Sequence, residues 1–213
     1  MPKRNTYHHG DLKATLVRTG LGIIAERGVS ALSVAEVARR AGVSSGAPYR
    51  HFAGRKDLLV ACAVSAARQL TGELRRARVL FEQAAGGDPD PVEATAVAAA
   101  AYTRFAAEHG SGFDLIFAGE LQDAGSEELL EAGRSVMDAM LPAVLTVTDG
   151  DAKRALELLE RQVAAAHGYA SLLRGGFLTR RHATPEDVAD HAAVIARTLS
   201  RDAQRRAEPP QSG

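Results

Sequence analysis

Tyr49, Arg50 and His51 stand side by side, and Arg55 and Lys56 follow after a short Phe-Ala-Gly link. All five side chains can donate a hydrogen bond to a phosphate oxygen or a base edge, and such donors crowded into one short segment suit contact with a nucleic acid. The residues ahead of them, Ser44, Ser45, Gly46 and Ala47, are small. That end of the segment can therefore approach another backbone closely. Other chemistries find no comparable support. There is no Walker loop, no G-x-G-x-x-G after a strand, no G-x-S-x-G and no H-E-x-x-H. The seven histidines are scattered, and Asp187 with His191 makes only a single i,i+4 pair, so no metal site and no cofactor are expected. No nucleophile stands beside a base, which argues against an enzyme.

The elements that must present these donors can be read from the residues before them. Ser33 with Glu36 three positions on is a capping box, the serine oxygen taking the N–H at Glu36 and the carboxylate reaching back. Val34, Val37, Ala38 and Ala41 repeat at helical spacing, and Gly42 supplies a stop. Ser44 is a second N-cap candidate, Pro48 fits only the first turn of a helix, and Phe52 should turn inward as an anchor. Two short helices joined at a glycine turn make a helix-turn-helix, whose second helix can enter a major groove. Gly54, Arg55 and Lys56 open a further helix, where free N–H groups and two cations suit a phosphate.

The string AGVSSGAPYRHFAGRKDLL, within the stretch Ser33–Leu59, resembles the DNA-binding signature of the tetracycline-repressor (TetR) family of bacterial transcription regulators. The resemblance implies that Ser45, Gly46 and Arg50 read bases, with Ser33, Val34 and Ala35 at the groove edge. Ser44 and Ala47 belong to the same DNA-facing segment, and Tyr49, His51, Arg55 and Lys56 should hold phosphates. Small residues offer few hydrogen bonds, so specificity should lean on Arg50, on thymine-methyl contacts and on an N-terminal arm. Further on, RQVAAAHGYASLLRGGFL is similar to the effector domain of a TetR subgroup marked by Trp-His-Gly. Here Ala166-His167-Gly168 stands in that place, without the tryptophan.

Charge agrees with a polyanion partner for the N-terminal quarter. Residues 1–60 hold ten Lys/Arg against four Asp/Glu, a net +6, and the remainder is −6, so the overall net charge is zero. The 213-residue chain is Ala-rich, has no Trp and shows no strand pattern, which predicts an all-α protein. A flexible arm is expected over 1–10, where Lys3, Arg4, Tyr7, His8 and His9 can reach a minor groove or the phosphates. A helix-turn-helix head is expected over 11–57, a ligand-binding and dimerisation domain over 58–206, and a disordered tail over 207–213. Irregular links are expected at Gly119–Gly125 and at Pro142, where a kink or break should fall. Cys62, the only cysteine, lies in the apolar run Leu58–Val64 and reads as core filler. With neither a membrane span nor a signal peptide, the expected location is the cytoplasm.

In the family, the last two long helices pair with those of a second subunit. The residues allow it. Val163, Ala164, His167, Gly168, Ser171 and Leu172 make one small-residue face, and Val188, His191, Ala192, Ile195 and Leu199 a second. The family also implies a small-molecule site, for which Tyr102, Phe105, His109, Phe113, Phe117, Met137, Met140, Leu141 and Tyr169 are the candidate lining. The expected function is a homodimeric, ligand-responsive regulator that binds a palindromic DNA operator, represses, and is released by a small apolar molecule. A ligand-binding signalling dimer whose N-terminal module contacts protein stays open as the alternative.

Overall fold

The computed structural model describes residues 9–122, 125–178 and 182–206. The expected arm contacts of Lys3, Arg4, Tyr7 and His8 and the tail 207–213 lie outside the described residues. Every regular element among the described residues is helical: α1 His9–Arg27, α2 Val34–Arg40, α3 Arg55–Ala85, α4 Pro91–Asp114, α5 Gly119–Gln122, α6 Glu127–Val147, α7 Ala152–Arg174 and α8 Pro185–Arg205. None of them is long and apolar enough to cross a membrane. Helix α1 begins at His9, so the last two residues of the expected arm are helical.

The residues fall into two compact units. One runs to Ala67 and takes in Ser111–Gly133; the other holds Arg68–Gly110 and resumes at Arg134. This division does not follow the 57/58 boundary, which falls in the first turn of α3. In α4 the division coincides with a kink at Gly110, whose φ of 51° and ψ of −128° suit a residue without Cβ.

In the first unit, Leu16, Ile23 and Ile24 of α1 are buried with Leu32, Val37, Phe52, Leu58 and Cys62. Phe52 is the inward anchor that its position predicts. Gly20 has a packing reason: a Cβ there would stand 3.0 Å from Cys62 Sγ and 3.4 Å from Leu32 Cδ1. Gly22 has open space around its Cβ position, and no packing reason accounts for it. The Cys62 thiol is fully buried, and that burial pushes its pKa up to about 12.

Two local expectations change. Gly119–Gln122 forms the short α5 rather than an irregular link. Helix α6 is continuous through Pro142, so of the expected kink or break the break does not occur. Pro142 and Asp138, whose carbonyl loses its N–H partner there, are both exposed, so solvent can take the freed group.

In the second unit, α7 and α8 lie antiparallel. Arg154 Nη2 donates to Ala203 O at 2.6 Å, Gln162 Nε2 to Ser200 Oγ at 2.9 Å, and the Tyr169 and His191 rings are 5.5 Å apart. Helix α4 joins the pair through Thr95 Oγ1, which is 2.8 Å from Ser200 Oγ. Thr95, Gln162 and Ser200 are all buried, so this polar chain ties three helices at one level. Thr184 and Asp187 form a complete capping box at the start of α8, as their spacing predicts.

Candidate nucleic-acid interface

Ser33 starts α2 by accepting the Glu36 N–H at 3.1 Å. The return half of the expected capping box is replaced. Arg39 takes the Glu36 carboxylate through Nε and Nη2, both at 2.8 Å, and Arg40 Nε adds a contact at 3.2 Å. Arg27 lies 3.5 Å from the same carboxylate. Arg39, through its hydrogen bond first, and Arg40 hold Glu36 down from its ordinary 4.5 to about 2. Arg40 Nη1 also reaches Glu26 at 2.6 Å. Arg39 thus pairs within α2, while Arg40 with Glu26 and Arg27 with Glu36 join α2 to the end of α1.

Past the Gly42 turn, whose φ is 69°, the expected second helix is shorter than the sequence pattern suggests. It is a 3-10 turn over Pro48–Arg50, preceded by a turn in which the Ala47 N–H donates to Ser44 O at 3.0 Å. Pro48 is the physical reason, because it has no N–H to give and so cannot close a regular helical turn back to Ser44. The element's N-cap is Ala47, which makes no side-chain cap bond, so Ser44 is not the cap.

The DNA-facing candidates separate into three groups. Ser33, Ala35, Ser44, Ser45, Gly46, Tyr49, Arg50 and Lys56 are exposed, Tyr49 at 59%. Arg50 and Lys56 have no protein partner among the described residues. Ala47 and His51 are half-buried. The Nε2 atom of His51 is buried without a hydrogen-bond partner, so a phosphate can meet this ring only through Nδ1. Val34 is withdrawn: its side chain is 6% exposed, because helical spacing puts it on the same inward face as Val37 and Ala38. Arg55 is also redirected. It is exposed, but its Nε donates to Leu32 O and its Nη2 to Val29 O, each at 2.8 Å, so two of its five donors grip protein carbonyls and only the remainder face outward. At the same helix end the Ala53 N–H is taken by Asp57 Oδ2 at 3.0 Å, which places a carboxylate where the sequence suggested an anion site.

The candidate ligand residues divide between the two units. Phe113 and Phe117 belong to the first unit, their rings 5.4 Å apart; the other seven belong to the second. Phe105 is buried with its ring stacked on His109 at 4.0 Å, and both line a groove of about 280 Å³ between α3 and α4. Met140 alone among the candidates lines a cavity of about 200 Å³ between the C-terminal part of α3, the start of α4 and α6. Its other apolar walls, including Leu74, Phe81, Val97, Ala98 and Ala143, were not among the expected lining, which took no residue from α3 and no small side chains. The spacing of Leu74 and Phe81, seven apart on α3, was the available signal. Tyr102 is buried, Leu141 and Tyr169 are half-buried, and Met137 is 39% exposed.

On α7, Ala164 and Leu172 are exposed, and Val163, His167, Gly168 and Ser171 are half-buried. On α8, His191 is exposed and Ile195 and Leu199 are half-buried. Val188 and Ala192 must leave the proposed pairing face. They are 0% and 2% exposed in the single chain, since the α8 repeat turns them inward with Ala189, Ala193 and Ala196.

A helix-turn-helix with exposed cations and small exposed residues, attached to an otherwise helical chain, defines the class of a DNA-binding regulator. Residues 16–62 match the family model described as bacterial regulatory proteins of the tetR family, and residues 95–199 match the tetracyclin repressor-like C-terminal domain. The chain is 30% identical to a protein of unknown function from Rhodococcus sp. RHA1, with 93% of this chain and 98% of that chain covered and a TM-score of 0.72. A TetR-family transcriptional regulator from Streptomyces coelicolor is 20% identical over 93% of this chain and 92% of its own, with a TM-score of 0.65. A tetR-family regulatory protein from Rhodococcus RHA1 is 18% identical over 88% and 96%, with a TM-score of 0.64. These last two likenesses bear on the fold. No curated protein matches the chain. The chain belongs to the TetR family and is a DNA-binding transcription regulator.

Proposed function

We propose that the protein is a cytoplasmic repressor that binds a palindromic operator as a homodimer and is released by a small apolar molecule. The head, residues 11–57, reads the DNA, and residues 58–206 pair and sense. The observation that carries this reading is the exposure of Ser44, Ser45, Gly46, Tyr49, Arg50 and Lys56 on a head whose α2 cations, Arg39 and Arg40, are already paired. Arg50 and the small residues face the bases, while Tyr49, His51 and Lys56 hold phosphates. Two heads related by a two-fold axis meet half-sites one helical turn apart, about 34–36 Å. The cavity, lined by Leu74, Phe81, Val97, Ala98 and Met140 with Arg78, Glu82, Asp88 and Thr146 also on its walls, supports a largely apolar effector of modest size with a polar end. Its volume of about 200 Å³ is near that of apolar cavities that hold one benzene-sized ring, roughly 150 Å³.

Selection of bound duplexes from a random-sequence library by the purified protein tests the proposal. The expected product is an inverted repeat whose affinity falls steeply with salt. Recovery of no preferred sequence, with weak and salt-insensitive binding, would instead support a head that contacts protein.

A further inference from the structure

The carbonyls that Arg55 holds are not arbitrary. Val29 opens the 3-10 turn Val29–Ala31, and Leu32 closes it. The next residue, Ser33, is the N-cap of α2. Arg55 is itself the first residue of α3, directly after the Pro48–Arg50 turn and Phe52. The two bonds, at 2.8 Å each, therefore span 26 and 23 residues and fasten the entry of α2 to the entry of α3. Ser33 and Ala35 on one side and Tyr49 and Arg50 on the other are the exposed residues whose spacing a groove would test. Loss of the link lets α2's first turn and the 3-10 reading turn move separately. A lysine cannot replace it, since one ammonium on a flexible stem lacks the planar fork that meets two carbonyls at once.

We propose that Arg55 is a positioning residue of the DNA-binding head, holding the Val29–Leu32 turn and, through Ser33, the first turn of α2 in register with the reading turn. This rests on the DNA-binding reading above. It departs from the phosphate role that the sequence suggests for Arg55. The two roles give opposite signatures. A phosphate contact depends on charge, tolerates lysine, acts on every sequence alike and adds to the salt dependence. A positioning link depends on fork geometry, fails with lysine and bears mainly on fit to the preferred site.

The test uses the full-length protein with Arg55→Lys and Arg55→Gln, and Lys56→Gln as a phosphate-contact control. Binding is measured across a salt series to duplexes selected by the parent protein and to a random-sequence duplex. Amide hydrogen exchange is followed in parallel over Val29–Val37. Under the proposal, Arg55→Lys and Arg55→Gln both lose at least about tenfold on selected duplexes, a modest share of specific over non-specific discrimination. They lose much less on random DNA, keep the parent slope of log affinity against log salt, and exchange faster at the first turn of α2 while α1 keeps its protection. Lys56→Gln loses affinity on both duplexes and lowers the slope by about 0.9. Parent-like binding and exchange in Arg55→Lys, with Arg55→Gln behaving like Lys56→Gln, would overturn the proposal and restore the phosphate role. Loss of protection throughout the head in Arg55→Lys would also overturn it, by making Arg55 a general stability residue. Should the parent protein select no sequence, the DNA-binding reading itself fails, and the exchange measurement alone still decides whether Arg55 holds the turn.

Discussion

At the scale of single residues, the head shows one side-chain type in three employments. Arg39 and Arg40 neutralise Glu36 and Glu26, Arg55 grips backbone carbonyls, and Arg50 is exposed without a protein partner. Only the last has its full set of donors available to a base edge. Arg50→Ala is therefore expected to weaken binding and to change the sequence recovered from a random library. Tyr49→Ala, which removes an exposed donor suited to phosphate, should lower affinity for all sequences and leave the recovered site as it was. Library selection with each variant checks this, and an unaltered site from Arg50→Ala would remove Arg50 from base reading. Part of this division was legible in the sequence. Glu36 lies three and four residues before Arg39 and Arg40, a spacing that pairs side chains on one helix face. The Arg55 role was not legible, because its partners are carbonyls 23 and 26 residues away and every residue type carries a carbonyl.

Among the elements, the contact of α1 with α3 leaves no room at Gly20. The Cβ of an alanine would meet Cys62 Sγ at 3.0 Å, closer than atoms normally stand, and the thiol is enclosed. Gly20→Ala gains helix propensity but forces a shift in a filled core, and a net loss of about 1–3 kcal/mol is expected. In a chemical-denaturation cycle, adding Cys62→Ala should recover part of that loss, whereas simple additivity would show that the two sites do not press on each other. The junction of α1 with α2 is electrostatic. Glu36 has its carboxyl lowered in the folded head, so the stability it contributes is present above its unfolded value of 4.5 and is lost as pH falls towards about 2. Glu36→Gln should flatten the fall of the thermal midpoint across that window, and an unchanged acid profile would show that Arg39 and Arg40 do not stabilise the folded head through this carboxylate. Helix caps and stops were readable from composition, since Ser33, Gly42, Thr184 and Asp187 act locally. The short reading turn and the unbroken α6 were less so. One depends on what Pro48 removes, the other on whether the carbonyl freed by Pro142 meets solvent.

For the whole molecule, a basic quarter of net +6 and a remainder of net −6 separate the part that attracts DNA from the part that is repelled by it. That separation was legible by counting, as was the helical class. The proposed pairing face was legible only in outline, because a small apolar residue on a helix can turn towards its own core or towards a partner. Val188 and Ala192 turn inward, while Val194, 54% exposed, is an outward apolar side chain not among the expected pairing residues. With Ala164 and Val194 exposed on neighbouring antiparallel helices, a two-fold partner would cover both, and any charge placed there would enter the interface twice. Ala164→Glu with Val194→Glu changes no residue buried within the single chain, so each subunit should keep its helical content. Sedimentation should then shift from twice the chain mass to the 22.5 kDa of one chain. Affinity for a selected palindromic duplex should fall by two orders of magnitude or more, roughly the lower end of what linking two binding modules provides. Affinity for an isolated half-site should stay within about twofold, because single heads keep their phosphate contacts. A doubly charged variant that still sediments as a dimer would place the pairing surface elsewhere on the chain.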